Sequence, residues 1–152
     1  RQLKKKRAET FGAETQKKLK KILKKGRKMD KNLFEKGLKI RKRVLGSDYV
    51  EKNINEDDDF TFPFQEAMTS WCWGFGWGDN AIDLKTRSMM NLAMIGALGK
   101  MTEWRTHCRA AINNGVTRQE LRAIIHVVGI YCGVPQAIEC FRAAKEILSE
   151  FD

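Results

Sequence analysis

The order of apolar and polar positions along the chain is helical almost throughout. In MDKNLFEKGLKIRKRVL, residues 29 to 45, Leu33, Phe34, Leu38, Ile40, Val44 and Leu45 recur near helical spacing before Gly46 can end the turn. Asn53 to Asp59, NINEDDD, is polar and acidic, and is expected as an exposed loop from which Phe60, Phe62 and Phe64 return the chain to the core. Pro63 to Trp77, PFQEAMTSWCWGFGW, predicts a helix that frays at Gly74 and Gly76. Asp83 is a suitable N-cap for a helix over LKTRSMMNLAMIGALG, closed by Gly99 and Lys100. Thr102 is expected to cap a helix from Glu103 to Asn113, which Asn113, Asn114 and Gly115 end. Thr117 and Glu120 form a capping box for a helix from Arg118 through Tyr131. Gly133 breaks that helix, and Pro135 opens a last one that runs to the carboxyl end. No run combines strand alternation with turn residues, so the predicted fold class is all-α, a single helical domain.

Composition adds a division to this pattern. At 152 residues, 42% hydrophobic and 32% charged, the chain fits one globular domain and is not disordered throughout. The net charge of +10 is concentrated at one end: residues 1 to 28 hold 13 Lys/Arg against Glu9 and Glu14, so residues 29 to 152 sum to −1. We therefore divide the chain into a Lys-rich extension, 1–28, and a domain, 29–152. Within the extension, KKLKKILKKGRK places Leu19, Ile22 and Leu23 on one side, the layout of a basic amphipathic helix. An acidic or polyanionic partner is one expectation for it, and a solvated tail the other. No stretch approaches the ~20 apolar residues of a transmembrane span, and the amino end lacks the apolar core of a secretory signal. Because the sequence opens on Arg1 rather than methionine, processing or an upstream start is expected. Cys72, Cys108, Cys132 and Cys140 form no C-x-x-C pair and no zinc spacing. A reducing compartment, the cytoplasm, is the simplest expectation.

Candidate chemistry lies in E-W-R-T-H, 103 to 107. Glu103 and His107 stand four residues apart on one helical face, where a carboxylate and an imidazole can meet. Such a pair is acid/base equipment, and the carboxylate is expected to raise the imidazole pKa. The plain alternative is a surface pair of the kind common on helices. A metal site from Glu103, His107 and His126 is arithmetically available, but His126 belongs to a different helix and is expected as a core histidine.

Five blocks in order decide between these readings: DFTFPFQ (59 to 65), WGFGW (73 to 77), LKTRSMMNLAMIGAL (84 to 98), HCRAAINNGVT (107 to 117) and IYCGVPQA (130 to 137). From Leu33 to Phe151 the chain resembles the carboxymuconolactone decarboxylase family. The resemblance implies an all-helical subunit that forms dimers to hexamers. It implies a carboxy-lyase needing neither metal nor organic cofactor, whose type reaction converts 4-carboxymuconolactone to the enol-lactone of 3-oxoadipate plus CO2. Such a reaction belongs to aromatic compound catabolism, the β-ketoadipate pathway. His107 matches the family histidine ahead of A-x-N-N-G and is the candidate donor or proton source, with Glu103 as its partner. Arg87, in K-T-R-S, matches a family arginine and can grip a substrate carboxylate or form a salt bridge. Trp71, Trp73, Phe75 and Trp77 are expected to wall a pocket or subunit interface or, as the safer default, to pack in the core, and Trp77 is the candidate among them for substrate contact. Phe75 departs from the family, where an acid often follows W-G, and this leaves the substrate open.

Two alternatives remain. The superfamily includes thiol-dependent peroxidases and disulfide reductases with C-x-x-C ahead of the histidine; Lys100 and Glu103 occupy those positions here, so only Cys108 or Cys132 could substitute. Cys132 is expected as buried packing. The second alternative is a non-catalytic assembly subunit acting through its Lys-rich tail.

Overall fold

The computed structural model describes residues 30–151, so the Lys-rich extension lies outside the described residues. Among the described residues every regular element is helical, and no helix is long and apolar enough to cross a membrane. The chain divides into two compact units, with the boundary between Asp79 and Asn80.

The first unit holds α1 (Lys31–Leu45), α2 (Ser47–Glu56), α3 (Phe62–Met68) and a π-helical segment, Thr69–Gly76. Asp30 caps α1 by accepting from Asn32 N at 2.9 Å, and Gly46, at φ 92°, lets α2 start at once. Phe34, Val50, Ile54 and Phe62 form the core, with Leu38 and Leu45 packed against them. Two expectations are corrected here. Asn53 to Glu56 is helix rather than loop, because the single apolar residue of that stretch, Ile54, enters the core. Of the three phenylalanines only Phe62 is buried; Phe60 and Phe64 are 89% and 73% exposed.

Gly74 does not fray the helix, which ends at Gly76. A Cβ on Gly74 would stand 2.3 Å from Leu33 O, and one on Gly37 would stand 2.0 Å from Thr69 O. Gly37 and Gly74 are the places where the backbones of α1 and the π-helical segment touch, and the helix continues past Gly74. Trp77 N donates to Cys72 O at 2.8 Å, the wider bond of a π-turn. Trp73 and Trp77 stack at 4.9 Å in the interior, while Trp71 and Phe75 stack at 4.8 Å outside.

The second unit holds α4 (Leu84–Ala97), α5 (Met101–Asn113), α6 (Arg118–Cys132) and α7 (Val134–Leu148). Asp83 caps α4 as expected, taking Thr86 N at 3.0 Å, and Thr117 and Glu120 complete their capping box. Gly99, Gly115 and Gly133 all have positive φ and make the three turns. Thr102 is not a cap: the turn at Gly99 (φ 65°) lets α5 begin at Met101, and Trp104 N already bonds Lys100 O at 2.8 Å. Leu92, Trp104, Cys108, Leu121, Ile125, Cys140 and Ile147 are the centre of a core drawn from all four helices. Gly96 allows this closeness, since a Cβ there would lie 3.3 Å from Trp104 Nε1 and 3.4 Å from Val128 Cγ2.

Candidate active site

Helix α5 fixes the site through its buried face. Trp104 is fully buried and its indole N–H donates to Leu92 O at 3.1 Å, joining α5 to α4 at a carbonyl. Cys108 and Ala111, four and seven residues further on, complete the buried stripe. Its outer edge is held by ion pairs from Arg105 to Glu146 and from Arg109 to Glu150, the latter through Nε and Nη2. On the other flank of the stripe from Arg105 and Arg109 stands His107, half-buried, with Glu103 one turn earlier and exposed. The rotation of α5, and with it the position of the imidazole, is therefore set by the buried stripe and the ion pairs together.

That placement determines the charge of the imidazole. Burial lowers the His107 pKa from 6.5 to about 4, and the Glu103 carboxylate opposes this without prevailing. The expectation of a raised pKa is thus overturned: desolvation of the cation outweighs attraction by an exposed carboxylate facing water. At neutral pH His107 is an uncharged imidazole, able to donate from one nitrogen and accept at the other.

Arg87 lies on α4 of the same unit, half-buried, with Nη2 3.4 Å from Ile82 O. The next residue, Ser88, is buried, donates to Leu84 O at 2.9 Å and accepts from Asn114 Nδ2 at 3.0 Å. That bond ties the Asn114–Gly115 turn to the start of α4. The structure therefore places Glu103 and His107 side by side and Arg87 on an adjoining helix. Trp77 belongs to the first unit, where it is 7% exposed against Trp73.

A sequence model of the Carboxymuconolactone decarboxylase family matches residues 63–146. The chain is also 38% identical over 122 residues to nitrosuccinic acid decarboxylase of Metarhizium robertsii, covering 80% of this chain and 85% of that protein. It is 33% identical over 121 residues to 4-carboxymuconolactone decarboxylase of Acinetobacter baylyi, covering 80% and 90%. The chain belongs to the carboxymuconolactone decarboxylase family. Both relatives are decarboxylases by name, which supports a carboxy-lyase here.

As a member of that family, the chain offers poor material for thiol chemistry. Burial pushes the Cys108 thiol up to about 12, and it raises Cys72 and Cys140 as well. A thiol so shifted is not an attacking thiolate near neutrality. Cys132, the last residue of α6, is exposed and not buried as expected. His126 is likewise exposed rather than a core residue, with Phe141 edge-on at 5.8 Å. It projects from the polar side of α6, whose apolar stripe is carried by Leu121, Ile125 and Val128. Among the described residues no group of three His, Cys, Asp or Glu side chains is placed to hold a metal ion.

The sequence reading passed over three polar residues. Arg41 is 4% exposed and donates from Nη1 to Gln65 Oε1 at 2.9 Å and Thr69 Oγ1 at 3.2 Å, with its pKa lowered by burial. Glu66 is equally buried, in the first turns of α3. Asn91, one turn beyond Arg87, has a buried Oδ1 without a hydrogen-bond partner among the described residues. Arg41 stands within a run of surface cations, IRKR, and Glu66 beside Gln65, so no hydropathy pattern separates them from solvated neighbours.

Proposed function

We propose that the chain is a cofactor-independent decarboxylase of a small dicarboxylate whose departing carboxyl group sits on a carbon joined to an electron sink. The supporting observation is His107: half-buried, uncharged near neutrality, one turn from Glu103 on an anchored helix. Loss of CO2 leaves an electron pair on carbon, and the pair spreads onto an oxygen of the sink. A neutral imidazole N–H aimed at that oxygen stabilises charge that develops only in the transition state. The low imidazole pKa favours this donor role over service as a reservoir of a proton. Arg87 takes the carboxylate that is retained, and Glu103 orients the imidazole.

4-Carboxymuconolactone is the first substrate we assign. Its carboxyl leaves a ring carbon conjugated to the lactone carbonyl, the charge passes to a furanolate-like oxygen, and carbon is then protonated to give the enol-lactone of 3-oxoadipate. Nitrosuccinate is the second, favoured by the 38% identical relative and by Phe75, which stands where an acid is common in lactone decarboxylases. The two molecules share a succinate skeleton, with a carboxyl on the carbon that bears the sink and a carboxymethyl group beside it. In nitrosuccinate the sink is the nitro group, and the intermediate is a nitronate. Incubation with each compound, with CO2 release and product identified by NMR, tests the reading. Turnover of one of them that falls in His107→Gln supports it; inertness toward both overturns the assignment of substrates. The same proposal includes homo-oligomerisation, cytoplasmic location, and an acidic or polyanionic surface as the partner of residues 1–28.

A further inference from the structure

Helices α6 and α7 enclose a groove of about 410 Å³ that shares no residue with Glu103, His107 or Arg87. Its floor is apolar: Ile125 is fully buried, and Phe141 and Leu148 form the wall from α7. Its rim carries three cations, Arg118 and Arg122 one turn apart on α6 and Lys145 on α7. None of the three joins an ion pair among the described residues. The acids of these helices, and Glu150 just beyond α7, are engaged elsewhere: Glu120 with Lys85, Glu139 with Arg142, Glu146 with Arg105 and Glu150 with Arg109. Three like charges around an apolar floor repel one another, and an anion with an apolar body relieves both the repulsion and the exposed floor.

We propose that this groove binds a free medium-chain monocarboxylate, with its head among Arg118, Arg122 and Lys145 and its chain along Ile125, Phe141 and Leu148. Length selects this class. From Arg118 to Ile125 the floor runs about 10 Å along α6, which an extended chain of roughly eight to ten carbons fills. The Lys-rich residues 1–28 carry the same sign as the rim and are excluded by charge. The small dicarboxylates proposed as substrates lack the apolar chain, so the groove is a separate site.

Titration calorimetry of the full chain at low salt, with octanoate and decanoate, tests the proposal. Saturable binding at one site per chain is expected. Acetate, which has the head alone, and octyl glucoside below its micelle concentration, which has the chain alone, are expected not to bind at the same concentrations. Arg122→Gln and Lys145→Gln should each weaken binding by about three- to tenfold, while His107→Gln leaves it unchanged. Phe141→Ala should weaken decanoate binding by a similar factor. Affinity independent of chain length, or undiminished in an Arg118→Gln/Arg122→Gln double variant that keeps its circular dichroism, would overturn it. So would binding only to phosphatidylglycerol vesicles, which assigns the rim to a membrane surface, or loss of self-association in the double variant, which assigns the groove to a second copy.

Discussion

His107 illustrates how one side chain's surroundings decide its use. Attraction from Glu103 alone makes a cation, whereas burial with the pKa near 4 makes a neutral donor, and the second effect is the larger. Replacing His107 by Gln should lower turnover of the true substrate by about 100-fold or more, with melting behaviour little changed, as removal of a positioned polar group does. Cys108→Ala and Cys132→Ala should stay within severalfold of the parent in the same assay; peroxide reduction that disappears with either would return the chain to thiol chemistry. Stability provides a second test, and its sign follows from the two pKa values. Between 6.5 and about 4 the unfolded chain binds a proton at His107 that the folded chain refuses. The contribution is thus fully present above pH 6.5 and is lost as pH falls toward 4. Urea unfolding at pH 7 and pH 5 should show about 2 kcal/mol more acid destabilisation in the parent than in His107→Gln. Equal losses in both proteins would mean that the folded imidazole protonates normally.

At the scale of elements, the second unit was legible in the sequence because its signals are local. Asp83, Thr117 with Glu120, and Gly133 act through backbone groups within a few residues, and each stands where expected. The first unit was less legible because its glycines act over long separations. In Gly74 and Gly76 the sequence displays low helix propensity, while the deciding fact for Gly74 is Leu33 O lying against it from α1. Ile54 is similar: one apolar residue in an acidic run is decisive only once Phe34 and Phe62 are known to surround it. The candidate site divides along the same line, with the Glu103 and His107 spacing visible in sequence and the burial that neutralises the imidazole invisible there. Gly37→Ala tests the backbone contact. Its Cβ would meet the Thr69 carbonyl at 2.0 Å, a backbone atom that cannot swing aside, so α1 and the π-helical segment must separate. A loss of about 3 kcal/mol is expected in chemical denaturation. A neutral result would mean that the two helices are not held at this distance. Gly46→Ala is no control for this, since φ there is 92° and the cost is conformational.

Among the described residues, the second unit leaves grouped apolar side chains exposed. On α4, Met90, Met94 and Leu98 recur at one-turn intervals and are 46%, 56% and 70% exposed. Around the turn from α6 to α7, Ile130, Tyr131 and Val134 are 76%, 82% and 65% exposed. Scattered apolar residues are ordinary on a surface, but two grouped sets on one unit are not, and a second copy of the chain is the occupant we propose. Charge bears on this association, because residues 29 to 152 sum to −1 and repel one another little, whereas residues 1 to 28 add a surplus of 11 to each copy. Light scattering of the chain lacking residues 1–28 should therefore give the same multiple of the monomer mass as the full chain, with less dependence on salt. Ile130→Asp together with Tyr131→Asp places two desolvated charges per copy in any contact at that turn, and should reduce the assembly to a smaller species at micromolar concentration while circular dichroism stays helical. A double variant that keeps the parental mass would move the contact to the α4 stripe, where Met94→Asp is the corresponding change. A parent chain that is monomeric at that concentration would remove self-association from the proposal altogether, leaving the exposed sets to a different partner.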